Sequence, residues 1–308
     1  MIVQVDQNKL AKQVKHGYGS AFGTFGELLQ GVVRERDFLV TLPISLYSHA
    51  TYTYDPAADH VTVFPSSKQK SKKLATNIVK HYGLPAGGHL ELQSGLPVGK
   101  GFASSSADLV AVVRAISDCF KFDIPIETLQ YFLAEIEPTD GVMYAGVVSF
   151  YHREVELCDF IGQLPQLSIV SIDEGGTVDT VEFNKIPKNY STEEKDRYNL
   201  LLEELTTAIR EGDVRTIGRV STLSAMMNQR LRPKKTLDQL VAICQEINGL
   251  GVVVAHSGTC LGILLSNTDQ LFYEKLKLAR ERLLEVSDEV MIYHSLNEGG
   301  EDDSYVAE

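Results

Sequence analysis

The sequence predicts a mixed α+β fold divided between two domains, and three observations support this. The chain has 308 residues, about the length of two ordinary domains. Residues 38–54 alternate in polarity and are rich in β-branched and aromatic side chains, which is typical of strands. From Ser105 onward, apolar residues instead recur at every third or fourth position, which is typical of a helix. Because strand and helix patterns do not alternate regularly, we do not expect a repeated β-α-β array.

The first half continues with a strand, a glycine-rich loop and two helices. The stretch HLELQSGLPVGKG at 89–101 is typical of a strand that runs into a loop. Ser105 and Asp108 form a capping-box signature, which predicts that the first of these helices begins at this point. The second is predicted over 123–140 and ends near Pro138.

A domain boundary is predicted near residue 163, where a short polar stretch separates two strand-like segments. The first domain is therefore 1–163 and the second is 164–308. The second domain is expected to contain a strand, helices near 193–211, 213–229 and 236–248, and a hairpin at 251–265. The acidic end of the chain, about 297–308, is expected to fray.

The net charge of −12 argues against a nucleic-acid partner, because such proteins carry basic surfaces. One basic cluster, SSKQKSKK at 66–73, is interpreted as a solvated entrance to a helix or as an attraction for an anionic ligand. Four widely spaced cysteines, no secretory signal and no long apolar run predict a soluble cytoplasmic protein without a membrane partner. The sequence leaves open whether the protein forms a homodimer.

The glycine-rich loop at 95–107 admits two interpretations. It misses the P-loop motif by one residue and lacks the third glycine of the dinucleotide fingerprint. It could be a tight capped turn. Alternatively, Gly99 and Gly101 let the backbone approach a phosphate, which the N–H groups and dipole of the following helix would attract.

A cluster of carboxylates near the end of the second helix also has two interpretations. Glu135, Glu137 and Asp140 lie within six residues, where the helix dipole disfavours negative charge. A solvated acidic patch would tolerate this arrangement. A bound magnesium ion would reverse the electrostatic problem, because this ion prefers carboxylates, hydroxyls and phosphates.

Three stretches together resemble the GHMP kinases, the family of galactokinase, homoserine kinase and mevalonate kinase. GTFGELLQG at 23–31 is similar to the N-terminal motif of the family, and GVVVAHSGTCLGILL at 251–265 is similar to its C-terminal motif. The loop is similar to the phosphate motif P-x-x-x-G-L-x-S-S-A, with Phe102 for Leu and Ser106 for the last Ala. The matching loop residues are Pro97, Gly101, Phe102, Ser104 and Ser105.

The resemblance implies an N-terminal mixed αβ nucleotide-binding domain, a C-terminal ferredoxin-like αβ domain, and the cofactors ATP and Mg²⁺. The implied ATP-phosphate contacts are Pro97, Gly99, Lys100, Gly101, Phe102, Ala103, Ser104, Ser105 and Ser106. The implied magnesium ligands are Ser105 and Glu137, and the implied substrate contacts are Glu27, Asp140, His256, Ser257 and Gly258.

The resemblance leaves the catalytic groups partly open. Asp140 is the candidate catalytic base, although homoserine kinase lacks such an aspartate. The lysine that many members carry before the Gly–Glu pair is missing here, and Lys100 is the nearest replacement by sequence. Asp179 and Thr180 are further candidates to face the pocket.

Within the family the resemblance is to kinases that phosphorylate L-threonine for cobalamin biosynthesis. It implies transfer of a phosphoryl group from ATP to the threonine hydroxyl, which yields O-phospho-L-threonine. Another hydroxy amino acid or small metabolite, such as homoserine, serine or a secondary-metabolite intermediate, is an alternative acceptor. A non-catalytic ligand sensor with the same fold is an alternative of a different class.

Overall fold

The computed structural model describes residues 13–176 and 188–296, and ten strands in this part of the chain form one sheet. The strands are β1 (Lys15–Val33), β2 (Arg36–Tyr54), β3 (Val61–Phe64), β4 (Gly88–Ser94), β5 (Val147–Tyr151), β6 (Glu156–Gly162), β7 (Leu167–Asp173), β8 (Gly251–Val254), β9 (Cys260–Ser266) and β10 (Met291–His294). The helices are α1 (Gln69–His81), α2 (Ser104–Phe120), α3 (Ile126–Ala134), α4 (Thr192–Glu211), α5 (Val214–Asn228), α6 (Leu237–Glu246) and α7 (Phe272–Leu283).

The first half of the chain is built on the long antiparallel hairpin of β1 and β2. Arg34 and Glu35 turn the hairpin with positive φ angles of 49° and 61°, as a tight turn with matching twist requires. Beyond β2 the sheet continues to β4 and to β3, which runs parallel to β4, while β5 pairs with β2 and β6 with β5. Helix α2 is almost entirely buried and packs across β1 and β2.

The second half confirms the ferredoxin-like prediction. Its strands and helices follow the order β7, α6, β8, β9, α7, β10, which is the β-α-β-β-α-β arrangement. All three pairings in its part of the sheet, which is ordered β10-β7-β9-β8, are antiparallel. Helices α4 and α5 are inserted between β7 and α6 and pack against β1, so they join the two halves.

Two apolar cores lie on this sheet. The larger surrounds α2 and includes residues of α4 and α5, such as Leu205 and Ile217. The smaller lies under α6 and α7 and includes Leu240 and Leu283. The predicted boundary at residue 163 falls between β6 and β7, yet the sheet continues across the molecule because Glu27 of β1 pairs with Val254 of β8. This junction positions the candidate site.

The predicted capping box is wrong. The residue that caps α2 is Ala103, which has φ 52° and ψ 29° and supplies no side-chain cap. Asp108 does not reach back to the helix start, because it is buried and accepts hydrogen bonds from Ser48 Oγ and Lys68 Nζ, each at 2.5 Å. The capping box does not form because Asp108 instead binds two residues that are distant in sequence.

The second predicted helix is also shorter than expected. Helix α3 ends at Ala134, and the N–H groups of Ile136 and Glu137 both donate to Leu133 O in a tightened last turn. Pro138 disfavours helical geometry at the residue before it, so Glu137 leaves the helix. Glu137 and Asp140 therefore lie after the end of α3.

Other sequence predictions concern the cysteines, membrane-spanning helices and the acidic end of the chain. All four cysteines are free, as expected, and Cys119, Cys244 and Cys260 are buried. Among the described residues, none of the helices combines the length and hydropathy needed to cross a membrane. The acidic segment 297–308 and the pair Asp179 and Thr180 lie outside the described residues.

Candidate active site

The loop between β4 and α2 is held by backbone hydrogen bonds from two other parts of the chain. Its carbonyl oxygens accept from strand β1 and from the turn between β8 and β9. These bonds are Thr24 N–H to Phe102 O (3.2 Å), Gly26 N–H to Gly101 O (2.9 Å) and Thr259 N–H to Lys100 O (3.2 Å). The first N–H groups of a helix have no acceptor within it, so this loop and the start of α2 are suited to bind an anion.

The glycines of this region are required by its geometry. Gly99 and Gly101 have φ angles of 71° and 92°, a region that other residues rarely adopt. Gly258, in the turn between β8 and β9, lies against the loop, and a Cβ atom there would be 2.0 Å from Lys100 O. The C-terminal motif therefore packs directly on the loop. Phe102 is buried between Phe25 and Tyr293.

Ser105 and Glu137, the two predicted magnesium ligands, are brought into contact. Ser105 Oγ donates to one carboxylate oxygen of Glu137, and the other oxygen accepts from Lys70 Nζ. A carboxylate and a hydroxyl match the preference of Mg²⁺, which completes its shell with water and substrate phosphates. No group of three or more His, Cys, Asp or Glu side chains suited to a metal occurs in the described residues. A bound nucleotide would add its phosphate oxygens to the ligands of an ion at this pair.

Asp140 lies beside the same helix start. Ser106 Oγ accepts from Asp140 N–H (3.2 Å) and lies 3.4 Å from Asp140 Oδ2. Burial of the carboxyl, followed by the nearby Glu27, raises the pKa of Asp140 to about 7, and Ser106 only partly opposes this shift. An acid with a pKa near neutrality can accept a proton at the pH at which most kinases work.

Glu27 is held by a buried hydrogen-bond chain that reaches into α5. His256 N–H donates to Glu27 Oε2 (3.0 Å), and His256 Nδ1 lies 2.8 Å from the same oxygen. On the other side of the ring, His256 Nε2 lies 3.3 Å from Ser224 Oγ, which accepts from Gln30 N–H. Because the carboxylate of Glu27 accepts hydrogen bonds, we assign the ring proton to Nδ1, and Nε2 of the neutral ring then accepts from the Ser224 hydroxyl.

The bulged path of β1 explains why Glu27 points into this site. The pairing of β1 with β2 shifts register three times between Phe22 and Leu29, with Glu27 at the last two shifts. Bulges of this kind bend a strand and redirect its side chains. The carboxylate of Glu27 is thereby turned toward the β8–β9 turn, where it accepts from His256 N–H, and its negative charge contributes to the raised pKa of Asp140.

The remaining predicted residues are distributed around the loop and the turn. Pro97, Ala103 and Ser104 lie in the loop or at the start of α2, and Ser257 lies partly exposed in the β8–β9 turn. The ammonium of Lys100 is not directed toward the start of α2. It contacts Asp173 Oδ2 (2.5 Å) and Gly176 O (2.6 Å).

Sequence reasoning missed three contacts at the site. The signal for Lys70 was present in the basic cluster 66–73, but nothing in the sequence connected it with Glu137. Lys234 donates to Gly258 O (2.5 Å) and is buried, which lowers its pKa to about 8. Nothing in the sequence connected Ser224 with His256.

The site combines backbone amides of the loop, the Ser105–Glu137 pair and an acid, Asp140, whose pKa is near neutrality. These are groups that a phosphoryl-transfer site needs.

Comparison with protein families supports the same class of site. The model for the GHMP kinases N terminal domain matches residues 69–149, and that for the GHMP kinases C terminal matches residues 205–279. Together they cover half of the chain, which belongs to the GHMP kinase family.

The chain is similar to two curated relatives along most of its length. It is 28% identical over 267 residues to an L-threonine kinase from Citrobacter freundii, covering 84% of this chain and 90% of that protein. An L-threonine kinase from Salmonella typhimurium is 26% identical over 268 residues, covering 84% and 86%. Among solved structures, a homoserine kinase from Cytophaga hutchinsonii has a TM-score of 0.70 at 15% identity, covering 92% and 95%, which shows the shared fold.

Proposed function

We propose that this GHMP kinase transfers a phosphoryl group from ATP to the hydroxyl of L-threonine, with Mg²⁺, and yields O-phospho-L-threonine and ADP. One observation carries the proposal: Asp140, with a pKa near 7, and the carboxylate of Glu27 lie beside the loop and the Ser105–Glu137 pair. The similarity to two L-threonine kinases supports the choice of acceptor. The resemblance to kinases of cobalamin biosynthesis extends the proposal to that pathway.

The residues of the site have distinct tasks in the proposed reaction. The threonine oxygen bonds to the γ-phosphorus while the bond to the bridging oxygen of the β-phosphate breaks, and Asp140 accepts the hydroxyl proton. The loop amides and the start of α2 bind the phosphate oxygens. Ser105 and Glu137, together with the nucleotide, would hold Mg²⁺, which would neutralise phosphate charge.

An amino acid also needs partners for its ammonium and carboxylate groups. Glu27 is the candidate for the ammonium, because the residue is only 5% exposed and its carboxylate is fixed in direction by His256. Lys234 is the candidate for the carboxylate, because it is a buried cation that donates to Gly258 O, in the same turn as His256. A neutral alcohol would leave both of these charged groups without a use.

L-Homoserine is the second candidate acceptor, because it carries the same two charged groups as L-threonine. The fold shared with a homoserine kinase favours its inclusion. The two acceptors are isomers that differ in the position of the hydroxyl. L-Serine lacks only the methyl group of L-threonine, and one such group contributes about 1–3 kcal/mol to discrimination in a pocket.

The test is phosphorus NMR of the protein with MgATP and, separately, L-threonine, L-serine, L-homoserine and D-threonine. We expect a new phosphomonoester signal with L-threonine and no such signal with the variant Glu137→Gln. A signal with L-homoserine alone would retain the reaction and replace the acceptor. Binding of ATP without a phosphoester from any of these alcohols would contradict the proposal and favour a ligand sensor.

A further inference from the structure

The basic cluster at 66–73 makes two ion pairs with carboxylates near the candidate site. Helix α1 begins within this cluster and has no acidic residue in its first turn, although a helix N-terminus repels positive charge. Lys68 Nζ contacts Asp108 Oδ2 (2.5 Å), and Lys70 Nζ contacts Glu137 Oε2. The placement of these lysines is therefore unfavourable for the helix itself and must be offset by the carboxylates.

The first ion pair fixes the beginning of α1 against α2. The side chain of Asp108 is only 5% exposed, that of Lys68 is 21% exposed, and Ser48 donates a second hydrogen bond to the same carboxylate. Because Asp108 lies one turn into α2, this pair sets the distance between the starts of the two helices. Lys70 lies two residues after Lys68 in the chain, and this arrangement places its ammonium beside Glu137.

The second ion pair is different, because its lysine remains accessible. The side chain of Lys70 is 53% exposed, whereas that of Glu137 is 7% exposed. A lysine has a flexible stem and keeps its ammonium at the edge of a site, so it can exchange one partner for another. Its present partner is the carboxylate whose other oxygen holds Ser105, at the first turn of α2.

The charge of the site explains why a cation is needed there. Glu27 and Glu137 both raise the pKa of Asp140, so three carboxyls act on one another in a small region. The ammonium of Lys70 is the cation in contact with Glu137 in this structure, at the carboxylate proposed to hold Mg²⁺. A divalent metal at that oxygen would repel the ammonium of Lys70, so the two cations compete for Glu137.

We propose that Lys70 is an exchangeable cation of this kinase, which neutralises Glu137 in the free protein and moves to the ATP phosphates when a divalent metal takes that carboxylate. The proposal rests on the proposed function in assigning the metal to Glu137. It also assigns a residue to the task of the family lysine that is missing from the N-terminal motif. In this proposal the cation that contacts the phosphates comes from α1. In many members of the family it comes from the segment before the pair that corresponds to Gly26 and Glu27.

The first test measures binding of Mn²⁺ without nucleotide, and the decrease of the EPR signal of free Mn²⁺ reports how much is bound. Mn²⁺ is used because it takes the same oxygen ligands as Mg²⁺. We expect Lys70→Gln to bind Mn²⁺ about two- to fivefold more tightly than the wild type, because a competing exposed ion pair is removed. Lys73→Gln, an exposed lysine of the same helix, is the matched control and should match the wild type. Glu137→Gln should lose the site.

The second test is binding of a non-hydrolysable ATP analogue with Mg²⁺, measured by calorimetry. Here Lys70→Gln should bind about tenfold more weakly, because a charged contact to phosphate is lost, and Lys70→Arg should recover most of the affinity. The opposite signs of the two effects distinguish exchange from damage to the fold. Unchanged Mn²⁺ affinity, or unchanged affinity for the analogue, would overturn the proposal.

Neither test depends on turnover of an alcohol. If no alcohol is phosphorylated but the two effects have opposite signs, the proposed substrate fails and the exchange at Glu137 remains. If L-threonine is phosphorylated but Lys70→Gln changes neither affinity, the proposed function remains and the exchange fails.

Discussion

The phosphate loop and the acceptor pocket are neighbours that are built in opposite ways. The loop is one continuous stretch, and its shape comes from backbone bonds to Thr24, Gly26 and Thr259. The pocket instead collects Glu27 and Asp140 as side chains from separate parts of the chain, and each depends on a buried polar neighbour. We infer that the loop tolerates most side-chain changes but few changes of backbone, and that the pocket behaves in the opposite way.

The largest expected effect is in the pocket. Asp140→Asn removes the proposed proton acceptor, so kcat should fall about 10²- to 10⁴-fold while the affinity for the ATP analogue changes little. Glu135→Gln is the matched control, because Glu135 is an exposed carboxylate of the same segment. Steady-state kinetics and calorimetry measure the two quantities. Near-normal kcat in Asp140→Asn would mean that the acceptor hydroxyl needs no base.

The same substitution carries a pH signature. Since the pKa of Asp140 is raised to about 7 in the folded protein from a usual value of 3.8, the folded state binds a proton that the unfolded state has released between these values. The stability of the wild type relative to Asp140→Asn should therefore fall as pH rises from about 4 to 7 and then stay constant. Thermal unfolding at several pH values measures this difference. Activity of the wild type should rise over the same upper part of the range.

A second change in the pocket tests the role of Glu27. Glu27→Gln removes the negative charge proposed to bind the substrate ammonium, so KM for L-threonine should rise about 10- to 100-fold, as expected for a charged hydrogen bond. The pKa of Asp140 should fall as well, because Glu27 is one cause of its elevation. The pH–rate profile should therefore shift toward acid. A changed KM without that shift would mean that Glu27 binds the substrate but does not raise the pKa of Asp140.

The contrast between loop and pocket also explains what could be predicted from the sequence. The loop was predicted as a contiguous motif, and its glycines reflect local φ angles. The contacts of the pocket join residues 34 positions apart for Ser106 and Asp140, and 229 apart for Glu27 and His256. Periodicity and turn chemistry carry no information on such pairs, so only the family resemblance could propose them. The capping box failed for the same reason, because Asp108 bonds to Lys68 and not to the helix start.

A backbone change should affect the loop more than any side-chain change within it. Gly101→Ala places a Cβ atom 2.3 Å from that of Ala255 at a φ of 92°, so the loop must move. We expect about tenfold weaker binding of the ATP analogue and a lower Tm, since strain at such a position costs about 1–3 kcal/mol. Gly95→Ala is the control, because its Cβ would meet only Tyr47 O at 3.9 Å. Equal effects of the two variants would contradict a shape-dependent loop.

The smallest expected effect is that of the loop lysine, and it decides whether the loop acts through its backbone alone. The ammonium of Lys100 contacts Asp173, and, against the effect of burial, it holds the pKa of that carboxyl below its usual value. Lys100→Ala should therefore cost at most about 1 kcal/mol of stability, as a partly exposed ion pair does, and should weaken binding of the ATP analogue less than threefold. Thermal unfolding and calorimetry measure these quantities. If binding instead weakened tenfold, Lys100 would have to leave Asp173 for the phosphates, and the task assigned to Lys70 would be shared with the loop.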